Sequence, residues 1–309
     1  MKRRFAFIFI MAIVVASCST TRILQEDECR LVENKIVITN NDDFPASSLL
    51  PYIKQKPNDY FIGRWNPFLY VYNWSSGRDT GWDRFVEKLG VAPVIYDSTS
   101  IDASKKGMLS HLEYSGYYGS DISHSVLKKE KKARVNYDVT LGKRYLIDSI
   151  SYEVPDSLMR DLLASDSANY TVNVGDILSE KDLEEESERL ALLYRNHGYY
   201  GFTKNYFFFY ADTVRQKDKA DLTVALENYT RNESEESARP HKQYHIGSVS
   251  IVPMSGLKVR EKFLWQVNTV KPGELYNEQV INSTYERFAS IRLFSSVNVQ
   301  LSETDSSTV

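Results

Sequence analysis

Cysteine is scarce in this chain: Cys18 and Cys29 are the only two in 309 residues. A disulfide-stapled secreted scaffold is therefore excluded, and the fold must be held by apolar cores. Histidine is almost as rare, with His111, His124, His197, His241 and His245. His241 and His245 have the i, i+4 spacing of zinc ligands on a helix. Pro240 precedes them, however, and His245 falls in an alternating stretch where such positions stand far apart. No metal site is expected. A nucleophile elbow, a phosphate-binding glycine loop and a Cys-x-x-Cys pair are also lacking, so neither an enzyme nor a cofactor is expected. Basic excess is missing as well. The formal net charge is −3, from 38 Lys+Arg against 41 Asp+Glu, which argues against nucleic acid as a partner.

What the chain does have begins at its N-terminus. Lys2, Arg3 and Arg4 precede an apolar run from Phe5 to Ala16. At 1.5 Å per residue this run falls well short of the ~30 Å bilayer core, so it reads as a cleaved signal peptide over 1–17 and not as a membrane span. Val15-Ala16-Ser17-Cys18 resembles a bacterial lipobox, which implies an acylated Cys18 as first residue of the mature protein. The other reading is an ordinary secretory signal with a chance cysteine. Ser19-Thr20 after the cysteine resembles the sorting signal of outer-membrane lipoproteins. Removal of 1–17 takes Lys+Arg from 38 to 35 and the net charge to −6.

The tetrapeptide GYYG occurs twice, at Gly116–Gly119 and Gly198–Gly201, 82 residues apart. Ahead of the second copy, Leu183, Ser187, Leu190, Ala191 and Tyr194 recur at helical spacing. Ser179 and Asp182 are spaced as a capping box, and Glu184, Glu185, Glu186 and Glu188 read mostly as a solvated face. Ile101, Met108, Leu109 and Leu112 take the matching positions before the first copy. After each turn comes a hairpin: DISHSVL into RVNYDVTL, where Val135, Tyr137, Val139 and Leu141 alternate with polar residues, and Thr203–Asp212 into ADLTVALE. Gly116 and Gly198 stand where a left-handed residue ends a helix, and the paired tyrosines are expected to dock the new strand on that helix. A second echo, YLIDSISY at Tyr145–Tyr152, returns as YHIGSVSI at Tyr244–Ile251, 99 residues later. Short helices are expected after each copy, SLMRDLLAS behind Pro155-Asp156 and then VREKFLWQV. A third helix-to-strand passage closes the chain, with Phe288 and Phe294 matching Tyr194 and Tyr200.

The expected fold class is α+β: tandem β-α-α-β-β domains in series, over 30–142, 143–229 and 243–309. A tether spans 18–29 and a polar linker 230–242. Y-x-I-x-S-[IV]-S, Gly273-Glu274-Leu275-Tyr276 and Phe294-Ser295-Ser296-Val297, in this order, resemble the polypeptide-transport-associated (POTRA) domain. Such domains form the periplasmic arm of outer-membrane assembly factors of the BamA and TamA type. The lipobox at the head of the arm, with APVIYD at Ala92–Asp97, is similar to the lipoprotein variant of the translocation and assembly module, TamL. The resemblance implies a non-enzymatic arm, anchored to the outer membrane by the lipid and facing the periplasm. Client outer-membrane polypeptides, and an inner-membrane-anchored TamB-like partner, are the partners it implies. The last domain departs from the family pattern: no final strand follows SETDSSTV, and the barrel of such factors is expected in a longer protein.

Three further features of the sequence bear on the surface. DYFIGRWNPFLYVYNW carries Tyr60, Phe61, Trp65, Phe68, Tyr70, Tyr72 and Trp74, seven aromatics in fifteen residues. Three readings stand: a glycan-binding platform (the alternative function, a surface glycan-binding lipoprotein), a belt contacting the membrane or a partner through Trp65, Phe68 and Trp74, or an insertion packed on its own domain. Asp148-Ser149-Ile150, Asp166-Ser167-Ala168 and Asp212-Thr213-Val214 resemble a bacterial O-glycosylation pattern, although Asp and Ser are also common in turns and caps. The family resemblance puts the first hairpin strand at the sheet edge. The candidate edges are Asp121–Leu127, Thr203–Asp212 and Val297–Leu301. Within the second, Tyr206, Phe207, Phe208, Phe209 and Tyr210 are expected to bind extended polypeptide, and proline at Phe208 is expected to remove an edge donor.

Overall fold

The computed structural model of the chain describes residues 20–41, 43–60, 66–215, 217–228, 239–253, 259–304 and 308–309. The chain divides into two compact units, Met1–Lys143 and Arg144–Val309.

In the first unit, β1 (Arg30–Ile38) is followed by a 3-10 helix (Ala46–Tyr52) and three α-helices. These are α1 (Pro67–Tyr72), α2 (Gly81–Leu89) and α3 (Thr99–Tyr114), and the hairpin β2 (Asp121–Lys129) and β3 (Lys132–Thr140) comes next. The sheet runs β1-β3-β2, with β1 parallel and β2 antiparallel to the central strand. Alternation decides the packing. Val135, Tyr137 and Val139 are buried under α3, where Ile101, Met108 and Leu112 repeat at helical spacing, and Leu31, Leu49, Ile53 and Ile122 close the same core. The first helical position differs from the expected α-helix. Pro51 lies inside it, and the segment is held as 3-10. Helices α1 and α2 are an insertion between the two helical positions of the module. The hairpin turns on Glu130 and Lys131, both at positive φ (52° and 55°), as a two-residue turn matching strand twist requires.

The second unit opens with the same plan. β4 (Leu146–Glu153), α4 (Ser157–Ser165), α5 (Glu180–Arg195), β5 (Phe207–Asp212) and β6 (Lys219–Leu226) form a sheet of order β4-β6-β5. Asp156 caps α4 by accepting from the Met159 amide at 3.0 Å, and Ser179 caps α5 by accepting from that of Asp182 at 3.2 Å. Leu190 and Tyr194 of α5 are buried over Leu222, Val224 and Leu226 of β6. The Tyr194 hydroxyl, buried with its ring, donates to the Met159 carbonyl at 3.1 Å, so no polar atom is stranded. Strand β5 starts later than the alternation implied, because Lys204–Tyr206 forms a 3-10 turn and pairing begins at Phe207.

Residues 239–309 contribute α6 (Glu261–Val267), α7 (Glu278–Ser290) and a small core of Ile246, Val270, Tyr276 and Ile281. Neither expected strand here forms a ladder among the described residues. Tyr244–Ile251 and Val297–Leu301 are extended or irregular, and His245 makes only isolated bridges, to Leu275 and to Thr308. The bridge to Thr308 is parallel, and the Val309 amide donates to the His245 carbonyl at 2.9 Å. Thr308 and Val309 thus sit beside this stretch as β6 sits beside β4. The fold is α+β, with β-α-α-β-β modules in series, the last forming no strand ladder among the described residues.

GYYG acts in two directions. Gly116 and Gly198 end their helices at φ 86° and 98°. The first tyrosine of each copy turns inward: Tyr117 packs edge-on against Phe44 at 5.3 Å, and Tyr199 against Tyr194 at 5.6 Å. The second does not dock the strand as expected. The Tyr118 backbone exchanges two 2.9 Å hydrogen bonds with Lys143, and the Tyr200 ring meets Tyr244 and Tyr276. The second tyrosine thus holds the chain that follows the module.

Candidate functional site

A sheet edge offers unpaired amides and carbonyls, so the first question is which edges are covered. In the second unit, a turn ahead of α5 clips the start of β4. The Ile147 amide donates to the Asp176 carbonyl (2.9 Å), Gly175 to Ile147 (2.8 Å) and Leu178 to Tyr145 (2.9 Å). Residues 273–276 repeat this clip: Gly273 donates to Ile246, Ile246 to Glu274 and Tyr276 to Tyr244. The Gly-[Asp/Glu]-[Ile/Leu] signature follows from it. Gly175 and Gly273 sit at φ 94° and 82° in tight turns, and Leu178 and Tyr276 drop into the core. In the first unit Val94 and Tyr96 do the same for β1, accepting from the Leu31 amide and donating to the Cys29 carbonyl. A break in register follows the clipped starts of β1 and β4, between Leu31 and Glu33 and between Ile147 and Ser149.

The other edge, β5, pairs with β6 on one side only. Hydrogen-bond direction along β6 identifies the groups β5 leaves open. The Asp218 carbonyl accepts from Leu146 of β4 at 3.0 Å, and the Glu227 amide donates to Tyr206 at 2.9 Å. Even-numbered residues of β6 therefore face β4 and odd-numbered ones face β5. In the observed register Phe208 opposes Ala225 and Tyr210 opposes Thr223, so their amides point inward to β6. The outward donors belong to Phe207, Phe209 and Ala211. This corrects the expectation for Phe208: proline there breaks the ladder and leaves the free edge intact.

Side chains on β5 alternate accordingly. Phe207 is buried with Tyr194 and Phe202, while Phe208 and Tyr210 stand on the open face at 41% and 56% exposure. Their neighbours on that face are small and polar: Ser149 donates to Asp221 at 2.5 Å, and Ser151 and Thr223 share a hydrogen bond of 3.0 Å. A shallow depression of about 430 Å³ lies beside Tyr210, walled by Glu153, Pro155 and Glu227. The free edge thus carries aromatic surface on one side and three outward amides along its length. An extended peptide with alternating apolar residues has the complementary chemistry.

The remaining predicted positions fall as follows. Cys18 and Trp65 lie outside the described residues, as does most of the 230–242 stretch. Tyr206 is in the 3-10 turn before β5. Phe68 lies on α1 and Trp74 just beyond it, both exposed. Asp121–Leu127 forms most of β2, the free edge of the first sheet, whose open face carries Ser123, Ser125 and Leu127. Val297–Leu301 offers no strand edge.

Two features escaped the sequence reading. Glu186, grouped there with a solvated run, is buried at 1% exposure. Arg189 grips it with two hydrogen bonds (2.9 and 2.7 Å), also binds Asp166, and lies over the Tyr170 ring; Thr171 donates to Glu186 at 2.6 Å. Hydrogen bonds donated to Glu186 drive the guanidinium pKa further up, and burial raises that of Tyr152 beneath. Desolvation opposes ionisation of Asp166, but hydrogen bonds from Asn169 and Arg189 hold its carboxyl below the usual range. The Leu183–Glu186–Leu190 spacing was the available signal, since it puts Glu186 on the apolar face. His241 is the second feature. Its ring packs on Phe202 and Tyr206, Nε2 lies 2.9 Å from the Glu227 carbonyl, and desolvation lowers its pKa.

No protein-family profile and no curated protein matches the chain. Among solved structures it is similar to POTRA domains 3–5 of BamA from Haemophilus influenzae, at 12% identity and TM-score 0.44, over 92% of this chain and 95% of that one. It is also similar to POTRA domains 1–3 of Omp85 from Anabaena (14%, TM-score 0.33, 92% and 93% covered). A third is the N-terminal domain of Omp85 from Thermosynechococcus elongatus (11%, TM-score 0.29, 90% and 92% covered).

Proposed function

We propose that the chain is a periplasmic, lipid-anchored POTRA arm of an outer-membrane assembly factor, most like TamL, which binds extended segments of client polypeptide or of a TamB-like partner by strand addition at β5. The anchor is acylated Cys18 and the tether 18–29. The domains are 30–142, 143–229 and, after the 230–242 linker, 243–309. The role is binding, without catalysis. The observation that carries this reading is the asymmetry of the second sheet: β4 is clipped at its start, whereas β5 leaves the amides of Phe207, Phe209 and Ala211 directed outward beside exposed Phe208 and Tyr210. Backbone bonds need little sequence specificity, which suits a factor that handles many clients.

Photo-crosslinking from position 210 to an unfolded outer-membrane protein tests it. Ala211→Pro removes one outward donor without touching the ladder to β6 and is expected to weaken crosslinking severalfold in a folded chain. Equal crosslinking by parent and folded Ala211→Pro refutes strand addition at this edge. Acyl labelling of parent against Cys18→Ala tests the anchor separately.

A further inference from the structure

The two-helix insertion of the first unit exposes an apolar surface that its own packing does not use. In α2, Asp83 and Val86 turn inward, Val86 at 1% exposure. Asp83 accepts from the Thr80 amide (3.1 Å) while its own amide donates to the Thr80 hydroxyl oxygen (3.2 Å), a capping box that sets the helix rotation, and its carboxylate also accepts from the Ser76 amide (2.6 Å). At 100° per residue, Trp82, Phe85 and Leu89 then share an arc of about 60° beside the inward one. They remain 58%, 55% and 53% exposed, with the Trp82 and Phe85 rings 5.9 Å apart. Arg84 and Lys88 are exposed on the far side. The helix cannot roll to hide these residues. Gly90 at its end abuts the backbone of α1, where an added Cβ would lie 2.5 Å from the Tyr72 nitrogen, and the Val91 amide donates to Phe68 at 3.0 Å. Two aromatics and a leucine held outward on a short, fixed helix are the composition of an interfacial membrane contact.

The path of the N-terminus selects the occupant. Thr20, Thr21 and Leu24 are buried in the first unit, and the Ile23 amide donates at 3.3 Å to Oδ1 of Asn73, the residue that closes α1. Cys18 is two residues ahead of Thr20, so at most about 7 Å of chain separates them. Any lipid on Cys18, or the apolar run before it, therefore enters a bilayer next to this insertion. We propose that the Trp82–Phe85–Leu89 face of α2 rests in the headgroup–acyl boundary of the membrane that holds the N-terminus. It fixes the first unit against the surface, where a lipid alone would leave it on a swivel. This rests on membrane attachment of the N-terminus, by a lipid on Cys18 or by the apolar run before it, and is independent of strand addition.

A full chain with Trp65, Trp74 and Trp265 changed to Phe keeps Trp82 as its one tryptophan, read by excitation beyond the tyrosine absorption band. Reconstituted into phosphatidylethanolamine–phosphatidylglycerol vesicles carrying lipids brominated near the top of the acyl chain, it is expected to lose more than half of its emission. Phe85→Ser/Leu89→Ser in the same background, folded by circular dichroism, should reduce that quenching by about threefold or more. If an acylated, vesicle-bound chain shows no quenching, or if the serine variant quenches equally, the proposal is overturned. Association of two copies through α2, seen as dimers lost in the serine variant while bromolipids have no effect, also overturns it. If labelling shows no acyl group but Trp82 is still quenched on vesicles, the anchor reading fails and the contact stands.

Discussion

The ring of Tyr200 stands edge-on to that of Tyr276, with centroids 5.1 Å apart and planes at 75°. Tyr200 belongs to the turn that ends α5, and Tyr276 to the clip ahead of α7. Around them the Tyr244 amide donates to Gly198 (2.8 Å), Arg195 pairs with Glu278 (2.6 Å) and Asn277 donates to Asn196 (2.8 Å). The end of α5 is thereby bonded at several points to the start of α7.

This joint is expected to be cooperative. Tyr200→Leu and Tyr276→Leu, singly and together, should give a coupling energy of about 1 kcal/mol, since aromatic pairs contribute roughly 0.5–1.5 kcal/mol beyond area burial. Hydrogen exchange at residues 244–246 and 273–276 reads the consequence. Protection there should fall in each single variant while β6 is unaffected. Additive effects of the two changes would show that the rings do not act on one another.

The buried carboxylate gives the second expectation. Arg189→Met leaves Glu186 charged, enclosed and held only by Thr171, a change expected to cost about 3–5 kcal/mol of unfolding free energy in urea. Adding Glu186→Leu should restore much of that loss, because an apolar pair of similar volume avoids the desolvation of both ions. A double variant as unstable as the single one would mean that the trio of Asp166, Arg189 and Glu186 stabilises the domain outright.

The third expectation concerns acid. His111 stacks on Tyr52 at 4.5 Å, shares a 2.9 Å hydrogen bond with its hydroxyl, and is held below the ordinary value of 6.5 by burial. In the window below 6.5 the unfolded chain binds the proton before the folded one does. The contribution of neutral His111 is therefore complete above pH 6.5 and shrinks as the pH falls toward the lower, folded-state value. The first unit should lose urea resistance between pH 7.5 and pH 5.5, and His111→Phe should flatten that dependence.

How much of this was legible follows from which residues carry periodic information. Val135, Tyr137 and Val139 alternate, and Leu183, Leu190 and Tyr194 keep helical phase, so the central strand and the long helix of both modules can be read directly. Left-handed Gly116 and Gly198 mark the helix ends for the same local reason. Tyr200 was misassigned because a tyrosine beside a strand looks the same whether it packs under its own sheet or on the chain beyond. Glu186 was lost among four glutamates, although its spacing from Leu183 was inward. The open donors of β5 could not be assigned from alternation, which orders side chains by face and leaves backbone direction to the register. The stretches Tyr244–Ile251 and Val297–Leu301 have strand patterns but no continuous central strand beside them among the described residues, and a pattern alone makes no hydrogen bonds.

The clip at Gly175–Leu178 also governs self-association. A sheet with two open edges can pair on both sides and so grow without limit into fibres. Here the entering strand is bonded at its start by its own chain and then broken in register, which leaves each sheet one good template. Such a sheet has a valence of one: its own backbone can accept a single strand, from a guest or from a second copy, and has no second edge on which to take another.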